Sequence, residues 1–264
     1  MAHRVLWSFF FLVFFLAVAR KLSGTISILK NHRIFLLLVF ASLMIGINQF
    51  GFIYSISVKQ VIQASFAYYI FPLIAVFFGF IFLKEKFSKI QLVALLLALL
   101  AVVFLTRGLG AIPYISLLLG LTFGIYGFIK SYLRLDSLQT VSIEIGLLCP
   151  IALGFLIFSG MKSPDLILEI PKSDLLMFIL SGLITGFPLF LFSLATSGFN
   201  YSTVGIVSYL NPTLQFFVAV AIFIEPFTFV HGISFCLIWI GLFLYSLDSI
   251  KPNIFKSRKI SSTD

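Results

Sequence analysis

The sequence is dominated by long, uninterrupted runs of apolar residues. Nine such runs occur, each close to the roughly 17–25 residues that a helix needs to cross the hydrocarbon core of a bilayer. Since 61% of the residues are hydrophobic and only 10% are charged, a water-soluble fold with a polar surface is excluded. The chain is predicted to be an all-α membrane protein with nine transmembrane helices. The runs span approximately 4–20, 34–57, 62–83, 90–106, 112–130, 138–160, 174–197, 203–224 and 230–249.

The 18 basic residues give the chain a net charge of +9 and lie mostly in the short gaps between the runs. If every run crosses the membrane once, five of them fall on the side of the N-terminus and thirteen on the other side. The positive-inside rule then places the C-terminus in the cytoplasm. We therefore interpret the charge as orienting the chain in a lipid bilayer, and we expect no nucleic-acid partner.

An internal repeat runs through the chain at an offset of 140 residues. The motif Tyr69-Ile-Phe-Pro72 matches Tyr209-Leu-Asn-Pro212, and Glu85 matches Glu225 without a gap. The first four runs then match the last four, and the run at 112–130 has no partner. This pattern predicts two inverted five-helix repeats from which the first helix is missing, as in transporters built from inverted halves. The predicted units are 1–107 with four helices, 108–250 with five helices, and a basic cytoplasmic tail at 251–264.

The missing helix can lie upstream of Met1 or be truly absent, and the sequence leaves both open. One more crossing would bring the N-terminus to the cytoplasmic side, where the C-terminus is predicted. The intact mass of the natural protein distinguishes the two, since one helix with a short lead adds about 30 residues.

The two matched prolines, Pro72 and Pro212, lie near the middle of their runs. Proline lacks an N–H and frees the carbonyl one turn earlier, so a kink is expected at each. Freed backbone at that depth must face protein or a water-filled cavity. The pair therefore predicts a substrate pathway between the third and eighth runs, although both prolines can also be packing kinks.

Polar side chains cluster at the same level of the predicted bundle. They are expected to line a polar, uncharged cavity that takes a small-molecule substrate. Interhelical hydrogen bonding is the alternative role for each of them. The candidates are Asn48, Gln49, Tyr54, Tyr68, Tyr69, Ser208, Tyr209, Asn211 and Gln215.

Glu144 is the only carboxylate well inside a run, and a charged group at that depth is a functional candidate by default. It can carry a proton, or it can pair with a nearby base. Arg4 is its counterpart at the 140-residue offset, but the inverted halves place Arg4 toward the opposite face. Glu85 and Glu225 end helices and are interpreted as structural. The sequence contains no enzymatic motif and no P-loop, so we expect no enzyme, no metal and no cofactor, and transport driven by a gradient.

Several segments resemble the EamA part of the drug/metabolite transporter superfamily, and more narrowly its RarD-type bacterial carriers. They are Ala2-His-Arg-Val-Leu-Trp-Ser-Phe9, Gln63 to Pro72, Tyr209 to Gln215, Leu237-Ile-Trp239 and Leu244-Tyr-Ser-Leu-Asp248. The resemblance implies ten helices, a cell inner membrane location, and export or uptake of small metabolites or drugs. Arg4 lies in the first segment, at which this chain begins, whereas the family pattern has a helix before it.

Two functions follow from these observations. The first is a secondary transporter that works by alternating access. The second is a truncated, inactive remnant or a structural membrane subunit. Substrate, direction and coupling ion are left open, and so is the choice between a monomer and a homodimer.

Overall fold

The computed structural model describes residues 1–58, 61–109, 114–162, 172–214 and 229–249. Within these ranges the chain is helical and contains no β-strand. Gln215, Glu225 and the predicted tail at 251–264 lie outside them. The helices are α1 (Ala2–Val18), α2 (Leu22–Lys30), α3 (His32–Ser57), α4 (Val61–Ile81), α5 (Lys89–Leu109), α6 (Tyr114–Leu133), α7 (Ser137–Lys162), α8 (Lys172–Gly198), α9 (Tyr201–Val207) and α10 (Phe229–Ser249).

Four of these helices, α3, α6, α7 and α8, are long and apolar enough to cross a membrane over their described residues. The α1–α2 pair makes a fifth candidate if it forms one broken span, although it bends by 112°. Shorter apolar helical stretches lie in α4, α5 and α10. The chain is thus a multi-pass membrane protein whose described residues form helices and short connections, and the number of nine crossings stays a prediction.

Two helix boundaries differ from the sequence prediction. The first run was expected to continue through Arg20, but α1 ends at Val18 and Arg20 adopts a left-handed backbone with φ 56°. The chain then forms the short, unpredicted helix α2. The eighth run was expected to be one helix over 203–224 with a kink at Pro212. Instead α9 ends at Val207, a turn follows at 208–209, and helical residues resume at 210–214.

The buried apolar residues form two main clusters. The larger joins α1, α3, α6, α7 and α8, with Leu12, Ile45, Tyr126 and Ile145 among its members. The second joins α4, α5, α9 and α10, and contains three alanines of α5 spaced for close helix packing: Ala94, Ala98 and Ala101. We call these the first and second helix groups.

In the second group, α4 and α9 pack antiparallel. Gly79 meets Ser202, and Ala75 meets Gly205 nearer the middle of both helices. A Cβ on Gly205 would lie 2.5 Å from Ala75 Cβ, so a side chain there would force the helices apart. Helices α5 and α10 also pack antiparallel, with Ser88 hydrogen-bonded to Asp248 at one end.

Glu85 fixes the start of α9. Its carboxylate accepts hydrogen bonds from the backbone N–H of Tyr201 at 2.7 Å and of Ser202 at 3.1 Å, and from the Ser202 hydroxyl. The first N–H groups of a helix have no partner within the helix and carry partial positive charge, which a carboxylate satisfies. Gly79 leaves the space for this carboxylate. Glu85 therefore has the structural role expected from its sequence position.

Candidate functional site

A cavity of about 400 Å³ lies where the two helix groups meet. Helices α1, α3, α6 and α8 of the first group and α4 of the second line it, together with the turn after α9. We call it the central cavity. Its lining residues are Arg4, Ile45, Asn48, Gln49, Phe52, Tyr68, Phe71, Phe123, Ile184, Thr185, Pro188, Leu189, Phe192, Ser208 and Asn211.

The central cavity brings together six of the residues singled out in the sequence. They come from α1, α3, α4 and the segment 208–211 after α9: Arg4, Asn48, Gln49, Tyr68, Ser208 and Asn211. Tyr69, Pro72, Glu144, Tyr209 and Pro212 do not line it. Tyr54 lies on an outward face of α3 with 52% of its surface exposed.

The two matched prolines behave differently. Helix α4 runs without interruption through Pro72. Before Pro212 the chain turns at 208–209, and the Asn211 N–H donates to the Ser208 carbonyl at 3.1 Å. An α-helix would use the N–H of residue 212 for that carbonyl, and proline has none. The tightened turn satisfies the carbonyl and places the side chains of Ser208 and Asn211 at the cavity.

A third proline was not anticipated as part of the site. Pro188 lies inside α8 and cannot donate to the carbonyl of Ile184, and both residues line the cavity. Backbone of this kind is tolerated in a membrane protein where it faces a cavity or other protein. Its repeat position carries no proline, so the repeat alone could not identify it.

Aromatic rings form one wall of the central cavity. The ring centroids of Phe71 and Phe123 are 4.8 Å apart, and those of Phe123 and Phe192 are 4.6 Å apart. Phe52 and Tyr68 add an edge-to-face pair at 6.4 Å. Nothing in the sequence distinguishes these phenylalanines, because the chain contains 34 of them.

Two polar lining residues are held by neighbouring helices. Asn48 Nδ2 donates to the Leu119 carbonyl at 2.7 Å and to Thr122 Oγ1 at 3.2 Å, which links α3 to α6. Arg4 Nε donates to Thr185 Oγ1 at 2.9 Å, which links α1 to α8. The cavity therefore contains a guanidinium group, whereas the sequence analysis expected uncharged walls.

Glu144 lies outside the central cavity, in a buried ion pair. Its Oε1 accepts from Lys130 Nζ at 2.8 Å, and its Oε2 accepts from Tyr126 Oη at 3.1 Å. Lys130 also donates to Thr140 Oγ1. The side chains of Lys130 and Glu144 are 2% and 0% exposed. Of the two alternatives for Glu144, pairing with a nearby base is the arrangement observed.

The run predicted at 112–130 ends at Lys130. Because α6 continues to Leu133, Lys130 instead lies one turn inside the helix. Tyr126 joins the ion pair to the cavity wall, since its ring stacks with Phe192 at a centroid distance of 6.1 Å.

Comparisons with known proteins agree with this architecture. The model of the EamA-like transporter family matches residues 1–107 and 111–247. The uncharacterized transporter YojE of Bacillus subtilis (strain 168) is 36% identical over 95% of this chain and 85% of its own length. Protein RarD of Escherichia coli (strain K12) is 30% identical over 95% and 84%.

A solved crystal structure with 15% sequence identity superposes with a TM-score of 0.61, covering 93% of this chain and 88% of the other. At this identity the likeness concerns the fold alone. The Bacillus subtilis relative is named a transporter, and neither of the two names is that of an enzyme. The chain therefore belongs to the EamA-like transporter family and is a multi-pass membrane transporter, not an enzyme.

Proposed function

We propose that the chain is a gradient-driven secondary transporter that moves a small metabolite or drug across the bacterial inner membrane by alternating access. The central cavity is the observation that carries the proposal. It lies between two helix groups, and its amides, hydroxyls and aromatic rings are the mixed apolar and polar lining typical of small-molecule sites.

Helix packing supports alternating access. The offset of 140 matches four helix pairs, and over their described residues three of them pack closely: α1 with α7, α4 with α9 and α5 with α10, whereas α3 and α8 do not. The contacts of α4 with α9 and of α5 with α10 run antiparallel. In transporters with inverted repeats, the two repeats exchange conformations around a fixed site.

The absence of a P-loop from the sequence supports a gradient as the energy source. Glu144 and Lys130 are the candidates for ion coupling, because buried ionisable groups inside a membrane mark ion and proton pathways. The excess of basic residues on one side supports a cytoplasmic C-terminus. Fusions of alkaline phosphatase and of a fluorescent protein to the C-terminus test this orientation, which predicts fluorescence and no phosphatase activity.

Cysteine accessibility tests alternating access. In a background with Cys149 and Cys236 replaced by alanine, Ser208→Cys puts a thiol at the cavity. Ile151→Cys, 66% exposed on the outer face of α7, is the lipid-facing control. We expect a membrane-impermeant maleimide to label the cavity thiol from both sides of the membrane and the control from neither. Labelling of the cavity thiol from one side only contradicts alternating access.

Uptake into proteoliposomes tests transport itself. A panel of labelled amino acids, nucleosides, aromatic acids and aromatic amines is compared between the wild type, Ser208→Trp and the control Ile151→Trp. We expect saturable uptake of at least one compound, lost when the cavity is filled and retained in the control. No uptake above protein-free liposomes for any compound favours the inactive remnant or structural subunit.

A further inference from the structure

We propose that the central cavity selects a small organic anion, whose carboxylate pairs with Arg4 and whose apolar part lies against the rings of Phe71, Phe123 and Phe192. This inference rests on the proposed transport function and names the substrate class of the same site.

The charge of the cavity carries the argument. Among the described residues that line the cavity, Arg4 has the only charged side chain. Within the described part of the chain, ion pairs join Lys130 to Glu144 and Lys21 to Asp136, and no carboxylate pairs with Arg4. A charge held at membrane depth is costly unless it is paired or solvated. A bound anion would supply the missing counter-charge.

The hydrogen bonds of Arg4 leave the edge of the guanidinium that carries its two Nη groups available for a carboxylate. Its Nε–H is used by Thr185 Oγ1 at 2.9 Å. The Thr185 hydroxyl is itself fixed, since it donates to the Ser181 carbonyl at 2.7 Å. Among the described residues, neither terminal Nη group of Arg4 has a hydrogen-bond partner. Two adjacent Nη donors form the planar fork that binds a carboxylate through both oxygens.

The rest of the cavity sets the shape of the anion. At about 400 Å³ it lies near the lower end of the roughly 300–1,000 Å³ range of ligand pockets, which suits a small molecule. The Phe71, Phe123 and Phe192 rings provide an apolar wall for a ring or a short chain. Aromatic faces also attract cations, but a cation in this cavity would be repelled by Arg4.

Three compounds of similar size test whether the cavity prefers an anion: 3-phenylpropionate, its neutral amide, and 3-phenylpropylammonium. Each is titrated against the purified full-length protein in detergent, and the shift of the thermal midpoint gives an apparent Kd. We expect the propionate to bind at least about tenfold more tightly than the other two. Arg4→Gln abolishes this preference, and Arg4→Lys retains part of it, because lysine keeps the charge but lacks the fork.

Two controls separate binding from folding and from the transport proposal. The Arg4→Gln protein must bind the neutral amide as the wild type does, which shows that its cavity is intact. Ser208→Trp must abolish binding of the propionate. If the amide or the ammonium compound binds as tightly as the propionate or more tightly, and Ser208→Trp abolishes that binding, the anion class is overturned. The transport proposal is then unaffected. Absence of binding by all three compounds, together with saturable uptake of a non-anionic compound from the panel, also overturns the class alone. Absence of both binding and uptake overturns both proposals.

Discussion

The hydroxyl of Tyr209 donates a hydrogen bond of 3.2 Å to the backbone carbonyl of Tyr69, the residue that stands 140 positions earlier at the matching place in the repeat. Tyr209 is 1% exposed, so the bond is shielded from water. It ties the turn after α9 to the middle of α4, directly beside the central cavity. The counterparts of the repeat therefore meet where the turn that presents Ser208 and Asn211 begins.

Tyr209→Phe removes this bond and leaves the ring in place. We expect a loss of about 1 kcal/mol of unfolding free energy, the usual net worth of one hydrogen bond. This corresponds to a lower thermal midpoint by a few degrees, measured in detergent. Tyr132→Phe is the matched control, because Tyr132 is 62% exposed and should tolerate the change. Equal midpoints for both variants would show that the Tyr209 hydroxyl contributes nothing.

The sequence predicted the long helices well and their interruptions poorly. The starts of α3, α4, α5 and α7 lie within a few residues of the predicted runs, because a bilayer demands continuous apolar helices. Hydropathy does not register the end of α9 at Val207, because Ser208 and Asn211 are isolated polar residues in a run that is apolar over most of its length. Nor does it register the short helix α2, before which Lys21 pairs with Asp136 of the α6–α7 loop.

The site was predicted in part for a similar reason. Asn48, Gln49 and Asn211 were found because amides are rare in apolar runs. The phenylalanines of the cavity wall could not be distinguished from the many others, and Pro188 has no proline at its repeat position. The position of Lys130 relative to the membrane depended on where α6 ends. The structure shows that α6 continues past Lys130 and that the lysine pairs with Glu144.

The buried Lys130–Glu144 pair predicts strong coupling between its two residues. Removing one partner leaves the other charged and buried, which costs about 3–5 kcal/mol. We therefore expect Glu144→Leu and Lys130→Met each to lower the stability or the membrane yield sharply, and the double variant to be much closer to the wild type. Thermal unfolding of the three purified proteins measures the coupling. Additive losses would show that the two charges do not depend on each other.

The double variant at Lys130 and Glu144 also tests ion coupling. If the pair couples transport to an ion gradient, the stable double variant binds 3-phenylpropionate as the wild type does but no longer concentrates it against a gradient. The readout is the ratio of internal to external compound in proteoliposomes with an imposed proton or sodium gradient. Accumulation at the wild-type level assigns the pair a purely structural role.

Glu85 predicts a local effect on α9. Glu85→Ala leaves the N–H groups of Tyr201 and Ser202 without their acceptor, and losses of about 1–3 kcal/mol are usual for a cap or a charged hydrogen bond. Hydrogen exchange of the first turn of α9 should rise more than that of α6. Lys86→Ala, an exposed neighbour, is the control and should leave exchange unchanged. Uniform acceleration over all helices would contradict a local capping role.

The ion pair between Lys21 and Asp136 should make a pH-dependent contribution to stability. Partial burial raises its pKa, but the hydrogen bonds from Lys21 and from the Gln139 N–H outweigh this and hold the pKa below its ordinary value. A carboxyl group whose pKa is lower in the folded than in the unfolded protein stabilises the fold at pH values above its ordinary pKa, near 3.9. This contribution is lost as the pH falls through the pKa of the folded protein. Because the two side chains are 44% and 33% exposed, solvent screens the pair, and Asp136→Asn should cost less than about 1 kcal/mol at neutral pH. The thermal midpoints of the wild type and Asp136→Asn should converge below about pH 4. A difference between them that grows as the pH falls would contradict a lowered pKa of Asp136.

Pro212→Ala tests whether the turn at 208–209 serves transport. Alanine restores an N–H that competes with Asn211 for the Ser208 carbonyl, so the helix can continue through the turn. We expect the protein to remain in the membrane with normal yield while uptake through the cavity is abolished, because Ser208 and Asn211 rotate away from it. Pro150→Ala is the matched control, since Pro150 lies inside α7 on an exposed face and does not line the cavity. Retained uptake in Pro212→Ala would show that the turn is a packing feature, and equal loss in both variants would show that any proline replacement disturbs the bundle.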